Sequence, residues 1–129
     1  IDRKSNGIRE LAIKDTLTLC DAFMKKGNNN IIMFPEGTRG VPGEICSFKK
    51  GVASFSASLK VPIVPAFIKG SDKAWPRGKN FIRPGKIEVH ILQPIYPDHF
   101  EAEDNYNLTE KITAELEKRI RKKGSQLNV

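Results

Sequence analysis

The sequence predicts an α/β fold in which a mixed, mostly parallel β-sheet is flanked by helices. Two short apolar runs, residues 31–34 and 62–68, predict strands, and the first is typical of a strand buried on both faces. Two longer segments, 6–26 and 107–124, repeat apolar residues every three or four positions, as amphipathic helices do. In chain order the elements run helix, strand, helix, strand, strand, helix, which favours a single α/β domain over residues 1–129.

The first part of the chain is predicted to supply one helix, one strand and one long loop. The helix over 6–26 ends where Gly27 precedes three asparagines. Residues 31–34 follow as the first strand, and Pro35 ends it. The segment 35–50 is rich in Gly, Pro and Lys and is predicted as a loop. Ligands of α/β sheets gather beyond the carboxyl ends of the strands, so we expect the functional site in this loop.

The rest of the chain is predicted to complete the sheet and close the domain with a helix. A short helix over 51–60 precedes the second strand, whose prolines indicate a sheet margin or strand ends. Residues 86–92 alternate apolar and polar side chains and predict a half-exposed third strand, with His90 on its exposed face. Asn107 and Glu110 resemble a capping box at the start of the closing helix.

Positive charge is concentrated in the middle of the chain. The formal net charge is +7, and residues 34–86 contain ten Lys or Arg against three Asp or Glu. Such a basic segment favours an anionic partner, which is a phosphorylated small molecule, an anionic bilayer surface or nucleic acid. Charge alone does not choose among the three, and a solvated basic face is the simpler explanation until a motif joins it.

The sequence contains no constellation of metal-ligating residues, and no metal or cofactor is expected. Cys20 and Cys46 form no C-x-x-C motif and are too few for a disulfide framework, which fits a reducing compartment. No run approaches the roughly 18 apolar residues that a membrane span requires. The chain opens on Ile1 without an initiator Met, so we expect it to be a processed or excised piece.

Four residues directly after the first predicted strand have the chemistry of a phosphate site. Gly37 lets the backbone approach a ligand closely, and Thr38 supplies a hydroxyl. Arg39 offers a planar guanidinium fork that suits a phosphate. Glu36 is expected either to orient Arg39 or to accept a hydrogen bond from a ligand hydroxyl. On spacing alone, a charged turn with an internal Glu–Arg pair explains these residues equally well.

Two lysines add charge near the same loop. Lys49 and Lys50 directly precede Gly51, where the short helix is predicted to begin. A helix N-terminus favours anions, so these lysines extend the predicted phosphate site.

The same region resembles sequence blocks of the glycerol-phosphate and lysophosphatidate acyltransferases. Residues 34–39 are similar to the third block, F-P-E-G-T-R-S, with Gly40 in place of the serine. Residues 48–51 resemble the F-K-x-G that follows, and 61–66 resemble the fourth block, V-P-I-V-P-V. Residues 1–3 resemble the end of the second block, F-I-D-R. The blocks occur in the family's order over the first half of the chain.

The resemblance implies an α/β acyltransferase domain at a membrane surface. It implies transfer of a fatty acyl group from acyl-CoA or acyl-carrier protein to the hydroxyl of a lysophosphatidate-like acceptor, in phospholipid biosynthesis. The acceptor's phosphate would be held by the matching positions and the nearby lysines: Arg3, Glu36, Gly37, Thr38, Arg39, Lys49 and Lys50. The fourth block would form an apolar wall of the acyl path: Pro62, Ile63, Val64 and Pro65.

The family's catalytic block, N-H-x-x-x-x-D, is expected before Ile1. In that block the His acts as general base and the Asp orients it, so this chain by itself is predicted to be inactive. His99 and Asp104 have the same spacing, but they follow the other blocks and lack the preceding Asn. We therefore exclude them as the catalytic pair.

The expected setting is the cytoplasmic side of a membrane, with the protein peripheral or anchored by residues N-terminal to this chain. The alternative is a non-catalytic module that binds anionic lipid or glycerol phosphate, motivated by the basic segment. Nucleic acid is not expected, because the basic residues are not interleaved with stacking aromatics. Trp75, in a second basic loop over 70–85, is expected either to touch a membrane interface or to cover the core.

Overall fold

The structure is a computed structural model that describes the backbone of residues 3–128 and the side chains of residues 12–128. The chain divides into two compact units, Ile1–Met33 and Phe34–Val129. The helices are α1 (Arg3–Lys25), α2 (Gly51–Leu59), α3 (Ser71–Ala74) and α4 (Asn105–Gln126), with a 3₁₀ turn at Pro97–His99. The strands are β1 (Ala66–Lys69) and β2 (Glu88–Ile91). The organisation as a single domain stays a prediction.

The first unit contains α1, which confirms the helix predicted over 6–26. The helix ends as expected at Gly27, whose φ of 81° is in the left-handed region and whose N–H donates to the Met24 carbonyl at 3.1 Å. The Asn29 side chain donates to the Phe23 carbonyl at 2.6 Å, so a second free carbonyl of the last turn is satisfied.

The first predicted strand, residues 31–34, is wrong. No strand forms there, and Ile32 is 84% exposed. A strand needs a partner to complete its ladder of hydrogen bonds, and the two strands of the described sheet pair only with each other. An apolar run is therefore not sufficient to predict a strand here, and residues 31–34 form none.

β1 and β2 form an antiparallel pair in which Ala66 faces Ile91 and Lys69 faces Glu88. The mostly parallel sheet of the prediction is not shown by the described residues. β1 overlaps the C-terminal part of the predicted second strand. N-terminal to it, Ile63 forms an isolated bridge with Ile95, and the Pro65 carbonyl accepts a hydrogen bond from the Leu92 N–H at 2.9 Å. Proline lacks the N–H that a ladder requires, and for that reason the two prolines of this segment keep the strand short.

The third predicted strand is confirmed by β2. Its apolar side chains, however, are on the exposed face of the strand and its polar side chains are on the half-buried face. Val89 and Ile91 are exposed, whereas Glu88 and His90 are half-buried. The expected exposed position of His90 is therefore wrong. In the register of the sheet His90 faces Phe67, which is buried, and its ring nitrogen Nε2 lies 3.4 Å from the Glu88 carboxylate.

The core of the second unit lies between α2, β1 and α4. α4 buries an unbroken stripe at four-residue steps, as its sequence predicted. Phe67 of β1 packs against this stripe, and Ile95, which is C-terminal to β2, belongs to the same cluster. The fully clustered side chains are Ala53, Ala57, Phe67, Ile95, Leu108, Ile112, Leu116 and Ile120. The helix predicted over 51–60 is thus confirmed by α2.

The cap of α4 differs from the predicted capping box. Asp104 is the N-cap residue, and its Oδ1 accepts a hydrogen bond from the Asn107 N–H at 2.8 Å. Asn107 is therefore inside the helix, and the Glu110 side chain is bonded to Lys50 instead. Both Asp and Asn are good N-cap residues, and the sequence pattern did not distinguish a start at one from a start at the other.

We expect Asp104→Ala to lower the free energy of unfolding of the chain by about 1 kcal/mol, because the Asn107 N–H loses its acceptor. Asp104→Asn retains a capping oxygen and should cost much less. Urea unfolding followed by circular dichroism measures both. Glu103→Ala, at the exposed neighbouring position, is the matched control. An equal loss in Glu103→Ala and Asp104→Ala would contradict the assignment of the cap.

Candidate functional site

The segment after residue 33 folds as a tight turn. The Gly37 N–H donates to the Phe34 carbonyl at 3.1 Å, and Gly37 has a φ of 70°, a conformation that other residues rarely adopt. The Lys49 side chain lies against this glycine, since a Cβ added at Gly37 would be 2.8 Å from Lys49 Nζ. Gly37 therefore serves the site by its backbone conformation and by leaving room for the lysine.

Glu36 closes the loop that follows the turn. Its Oε2 accepts a hydrogen bond from the Cys46 N–H at 2.8 Å, and the Lys49 N–H donates to the Pro35 carbonyl at 2.8 Å. Together these two bonds hold the end of the loop against its start. Glu36 is not ion-paired with Arg39, because no ion pair among the described residues includes Arg39. The alternative of a charged turn with an internal Glu–Arg pair is therefore wrong.

The loop packs against the core through its second half. Ile45 and Phe48 are partly buried against the core cluster. The Phe48 N–H donates to Glu117 Oε2 of α4 at 3.3 Å. α4 has a glycine at the contact, and a Cβ added at Gly124 would lie 3.2 Å from Ile45 Cδ1. The position of the loop is thus set by α4.

The guanidinium of Arg39 lies over the ring of Trp75, with Cζ 5.0 Å from the ring centroid. This cation–π contact positions the guanidinium, while its N–H groups remain available to a ligand. The indole is itself fixed, because Nε1 donates to the Lys79 carbonyl at 2.9 Å. Sequence reasoning missed Trp75 as a partner of the site, since residues so far apart in the chain carry no spacing signal.

The two lysines differ in their surroundings. Lys50 pairs with the Glu110 carboxylate of α4, and its Nζ lies 5.4 Å from the centroid of the Tyr106 ring. The hydrogen bond to Glu110 raises the pKa of Lys50 above its ordinary value of 10.5. No ion pair among the described residues involves Lys49. The structure therefore brings the Lys49 side chain next to Gly37. The charge of Lys50, by contrast, is paired with a carboxylate of α4.

The remaining predicted site residues have different outcomes. The side chain of Arg3 lies outside the described residues, so its role stays a prediction. Thr38 is exposed. In the proposed wall of the acyl path, Ile63 packs against the core cluster and Pro65 is buried, whereas Pro62 and Val64 are exposed. The acyl-path role stays a prediction for all four residues.

His99 and Asp104 have structural environments that agree with their exclusion as a catalytic pair. Asp104 caps α4, and the ring of His99 lies against Tyr96 with the two centroids 5.0 Å apart. Within the described part of the chain, no cluster of His, Cys, Asp and Glu is arranged to hold a metal ion.

Gly40, where the resembling family has a serine, is in close contact with Cys46. A Cβ added at Gly40 would lie 2.8 Å from Cys46 Sγ and 3.8 Å from Glu36 Oε2. Real Cβ atoms essentially never come that close to sulfur, so a serine at position 40 requires the thiol to move. The departure from the family pattern therefore has a local packing reason.

The chain belongs to the acyltransferase family. The family model described as "Acyltransferase" matches residues 1–69, which is more than half of the chain. The match includes the turn, the loop bonded through Glu36, and the segment that leads into β1. The resemblance inferred from the sequence blocks is thereby confirmed.

Relatives in plants carry a more particular name. The chain is 36% identical over 103 residues to the 1-acyl-sn-glycerol-3-phosphate acyltransferase of Cocos nucifera, covering 80% of this chain and 33% of the relative. It is 39% identical over 83 residues to the chloroplastic acyltransferase BAT2 of Brassica napus, covering 64% of this chain and 24% of that one. The chain thus spans a third or less of the length of these relatives.

A solved structure has the same fold. The crystal structure of the 1-acyl-sn-glycerophosphate acyltransferase PlsC from Thermotoga maritima matches with a TM-score of 0.73 and 26% sequence identity. The match covers 92% of this chain and 44% of that one. The fold prediction, an acyltransferase-domain-like α/β fold, is confirmed at this level.

We expect Glu36→Ala to speed hydrogen exchange of the Cys46 amide by about tenfold, because a hydrogen bond to a charged group is worth about 1.5 kcal/mol. Glu36→Gln keeps an acceptor oxygen and should show a smaller effect. Exchange measured by NMR on the chain tests both changes.

Glu44→Ala is the matched control for the Glu36 variants. Glu44 lies in the same loop with an exposed side chain, and its own backbone N–H bonds to Val41. Unchanged exchange at Cys46 in Glu36→Ala would show that the carboxylate does not hold the loop.

Proposed function

We propose that this chain is the acceptor-binding part of an enzyme that acylates a lysophosphatidate-like glycerophospholipid. The proposal is supported most directly by the state of Arg39. Its guanidinium lies over an aromatic ring, is not paired with any carboxylate among the described residues, and belongs to an exposed side chain. A phosphate monoester would bind to the open edge of such a fork through paired N–H donors.

Lys49 adds a second positive charge on the same turn. Its side chain lies against Gly37, two residues before Arg39, and the Lys49 backbone is tied to Pro35. A dianionic phosphate next to this turn would therefore meet two cations from different parts of the loop. The names of the plant relatives, each a 1-acyl-sn-glycerol-3-phosphate acyltransferase, support a phosphate-bearing acceptor.

The reaction proposed for the whole protein is transfer of a fatty acyl group from a thioester to the acceptor hydroxyl. The hydroxyl oxygen bonds to the acyl carbon, the carbon–sulfur bond breaks, and the hydroxyl proton passes by way of a base to the leaving thiolate. We place the His and Asp of that base outside this chain, in a complete domain that also provides the parallel part of the sheet. The thioester is acyl-CoA or acyl-carrier protein, and the chain by itself is proposed to be inactive.

The proposed setting is the cytoplasmic surface of a membrane, since the acceptor is a lipid. No helix in the described part of the chain has both the length and the apolar composition to cross a bilayer. We propose that the protein is peripheral or is anchored by residues N-terminal to this chain.

In the full-length protein, we expect Arg39→Ala to lower kcat/KM for lysophosphatidate by about 10- to 100-fold, because a charge-assisted hydrogen bond contributes about 1.5–3 kcal/mol. Arg39→Lys keeps the charge but loses the fork, and should recover only part of the activity. Acyl transfer from a radiolabelled donor measures the effect. Lys60→Ala, which removes an exposed cation from the same basic segment, is the control. Near-normal activity of Arg39→Ala would contradict the assignment of the site.

A second candidate function, binding of glycerol phosphate or anionic lipid without chemistry, is favoured for the chain alone by the same uncompensated Arg39. Trp75 is the sole tryptophan and lies directly under that guanidinium. We expect glycerol 3-phosphate to change the fluorescence of Trp75 saturably, with an affinity that falls as salt is added. Arg39→Ala should abolish the change and Lys60→Ala should preserve it. A signal that does not saturate, or that survives Arg39→Ala, would rule out binding at this site.

A further inference from the structure

A second basic surface lies beside the site, on residues 73–86, which we call the basic–aromatic loop. It contains α3's last residues and the chain leading toward β2. Residues 73–86 contain five Lys or Arg and no Asp or Glu. Neither the packing of the core nor the proposed phosphate site requires so many positive charges in this loop.

Three large apolar side chains of this loop are exposed. Phe81 is 82% exposed, Ile82 is 71% exposed, and Trp75 is 48% exposed. Adjacent large apolar residues are costly to leave in water, because burying each one fully is worth about 1.5–3 kcal/mol. The loop therefore presents a local apolar tip that a suitable partner would cover.

The loop is held in shape by its own hydrogen bonds. The Arg83 N–H donates to the Ala74 carbonyl at 2.7 Å, and the Lys79 N–H donates to the Pro76 carbonyl at 3.1 Å. The Trp75 indole donates to the Lys79 carbonyl. These bonds join the two sides of the loop, so the exposure of Phe81 and Ile82 belongs to an ordered arrangement.

Basic side chains flank the apolar tip on both sides. Lys79 and Arg83 lie two positions before Phe81 and one position after Ile82, and both are exposed. Neither is in an ion pair among the described residues. Aromatic and aliphatic tips between free Lys and Arg match the chemistry of an anionic bilayer surface, where rings enter the headgroup region and cations bind lipid phosphates.

The loop is joined to the phosphate site through Trp75. The ring that belongs to the loop is the ring that carries Arg39, at 5.0 Å from Cζ. A loop that rests on the bilayer would thus bring Arg39 close to the level of the lipid phosphates. A lysophosphatidate molecule presents its phosphate at that level without leaving the membrane.

We propose that the basic–aromatic loop is the surface by which this protein docks on an anionic phospholipid bilayer, inserting Phe81 and Ile82 and setting Arg39 at headgroup depth. The proposal rests on the proposed function only in its second part, the placement of Arg39 toward a lipid acceptor. Docking itself depends on the loop alone.

The first test is binding of the 129-residue chain to vesicles of phosphatidylcholine with and without phosphatidylglycerol. We expect sedimentation with the anionic vesicles and weaker binding as salt is added. The paired change Phe81→Ser with Ile82→Ser should weaken binding by about tenfold or more. Arg83→Glu should weaken it by a similar factor, because one cation is lost and one anion is gained.

Matched controls lie outside the loop. Tyr96→Ser removes an exposed aromatic ring, and Lys118→Glu reverses the charge of an exposed lysine. Both variants should bind vesicles within about twofold of the unchanged chain, because neither residue belongs to the proposed docking surface. Equal weakening by the control and loop variants would overturn the docking surface, as would full binding by the loop variants.

A second measurement uses the unchanged chain, so it does not depend on the folding of any variant. Phosphatidylglycerol vesicles carrying brominated acyl chains quench a tryptophan only when it lies near the bromine atoms. We expect strong quenching of Trp75 by lipids brominated near the headgroup and weaker quenching by lipids brominated deep in the chain. Vesicle binding without quenching of Trp75 would show that a different surface of the protein docks on the bilayer, and it would overturn the proposal.

Activity of the full-length protein separates the docking surface from the proposed function. The paired Phe81 and Ile82 variant should lose transfer to lysophosphatidate in vesicles, and it should retain transfer to a short-chain lysophosphatidate dissolved as monomers. Equal activity of variant and unchanged protein on vesicles would contradict the docking surface. No transfer to either substrate by the unchanged protein would contradict the proposed function, while vesicle binding and quenching would still decide the docking.

Discussion

The second unit is organised by the burial of one face of α4, whose apolar stripe packs against α2 and β1. Because the hydrophobic effect acts on the whole stripe, the helix cannot slide or rotate without exposing several large side chains. The opposite edge of the same helix presents Glu110 and Glu117, which hold Lys50 and the Phe48 N–H. The packing of a single helix thus sets both the core and the position of the loop that carries Arg39.

The electrostatics of the site follow from which cations α4 neutralises. Lys50 has a carboxylate beside it, whereas Arg39 and Lys49 have none among the described residues. Glu36, the acidic residue within the motif, is occupied by the Cys46 N–H. The loop therefore keeps a positive field at the turn even though it contains acidic residues. Because Glu36 is not paired with Arg39, the guanidinium is left open to a ligand's phosphate.

Much of the helical structure could be predicted because helix periodicity is a local property of the sequence. The stripe of α4 and the end of α1 at Gly27 both follow from residues within a few positions of each other. The prediction of a strand at 31–34 was wrong because a strand depends on a pairing partner, which local hydrophobicity does not specify. The contact between Arg39 and Trp75 joins distant parts of the chain, and only the packed structure brings them together. The motif indicated which residues form the candidate site, but not the aromatic ring that lies under Arg39.

The contact between Gly40 and Cys46 makes the two positions dependent on each other. One volume is shared between them, and in this protein the thiol fills it. A side chain larger than glycine at position 40 therefore fits only if the Cys46 thiol moves or if residue 46 changes as well. We expect the residues at these two positions to vary together among related loops, with the smaller side chain at one position accompanying the larger at the other.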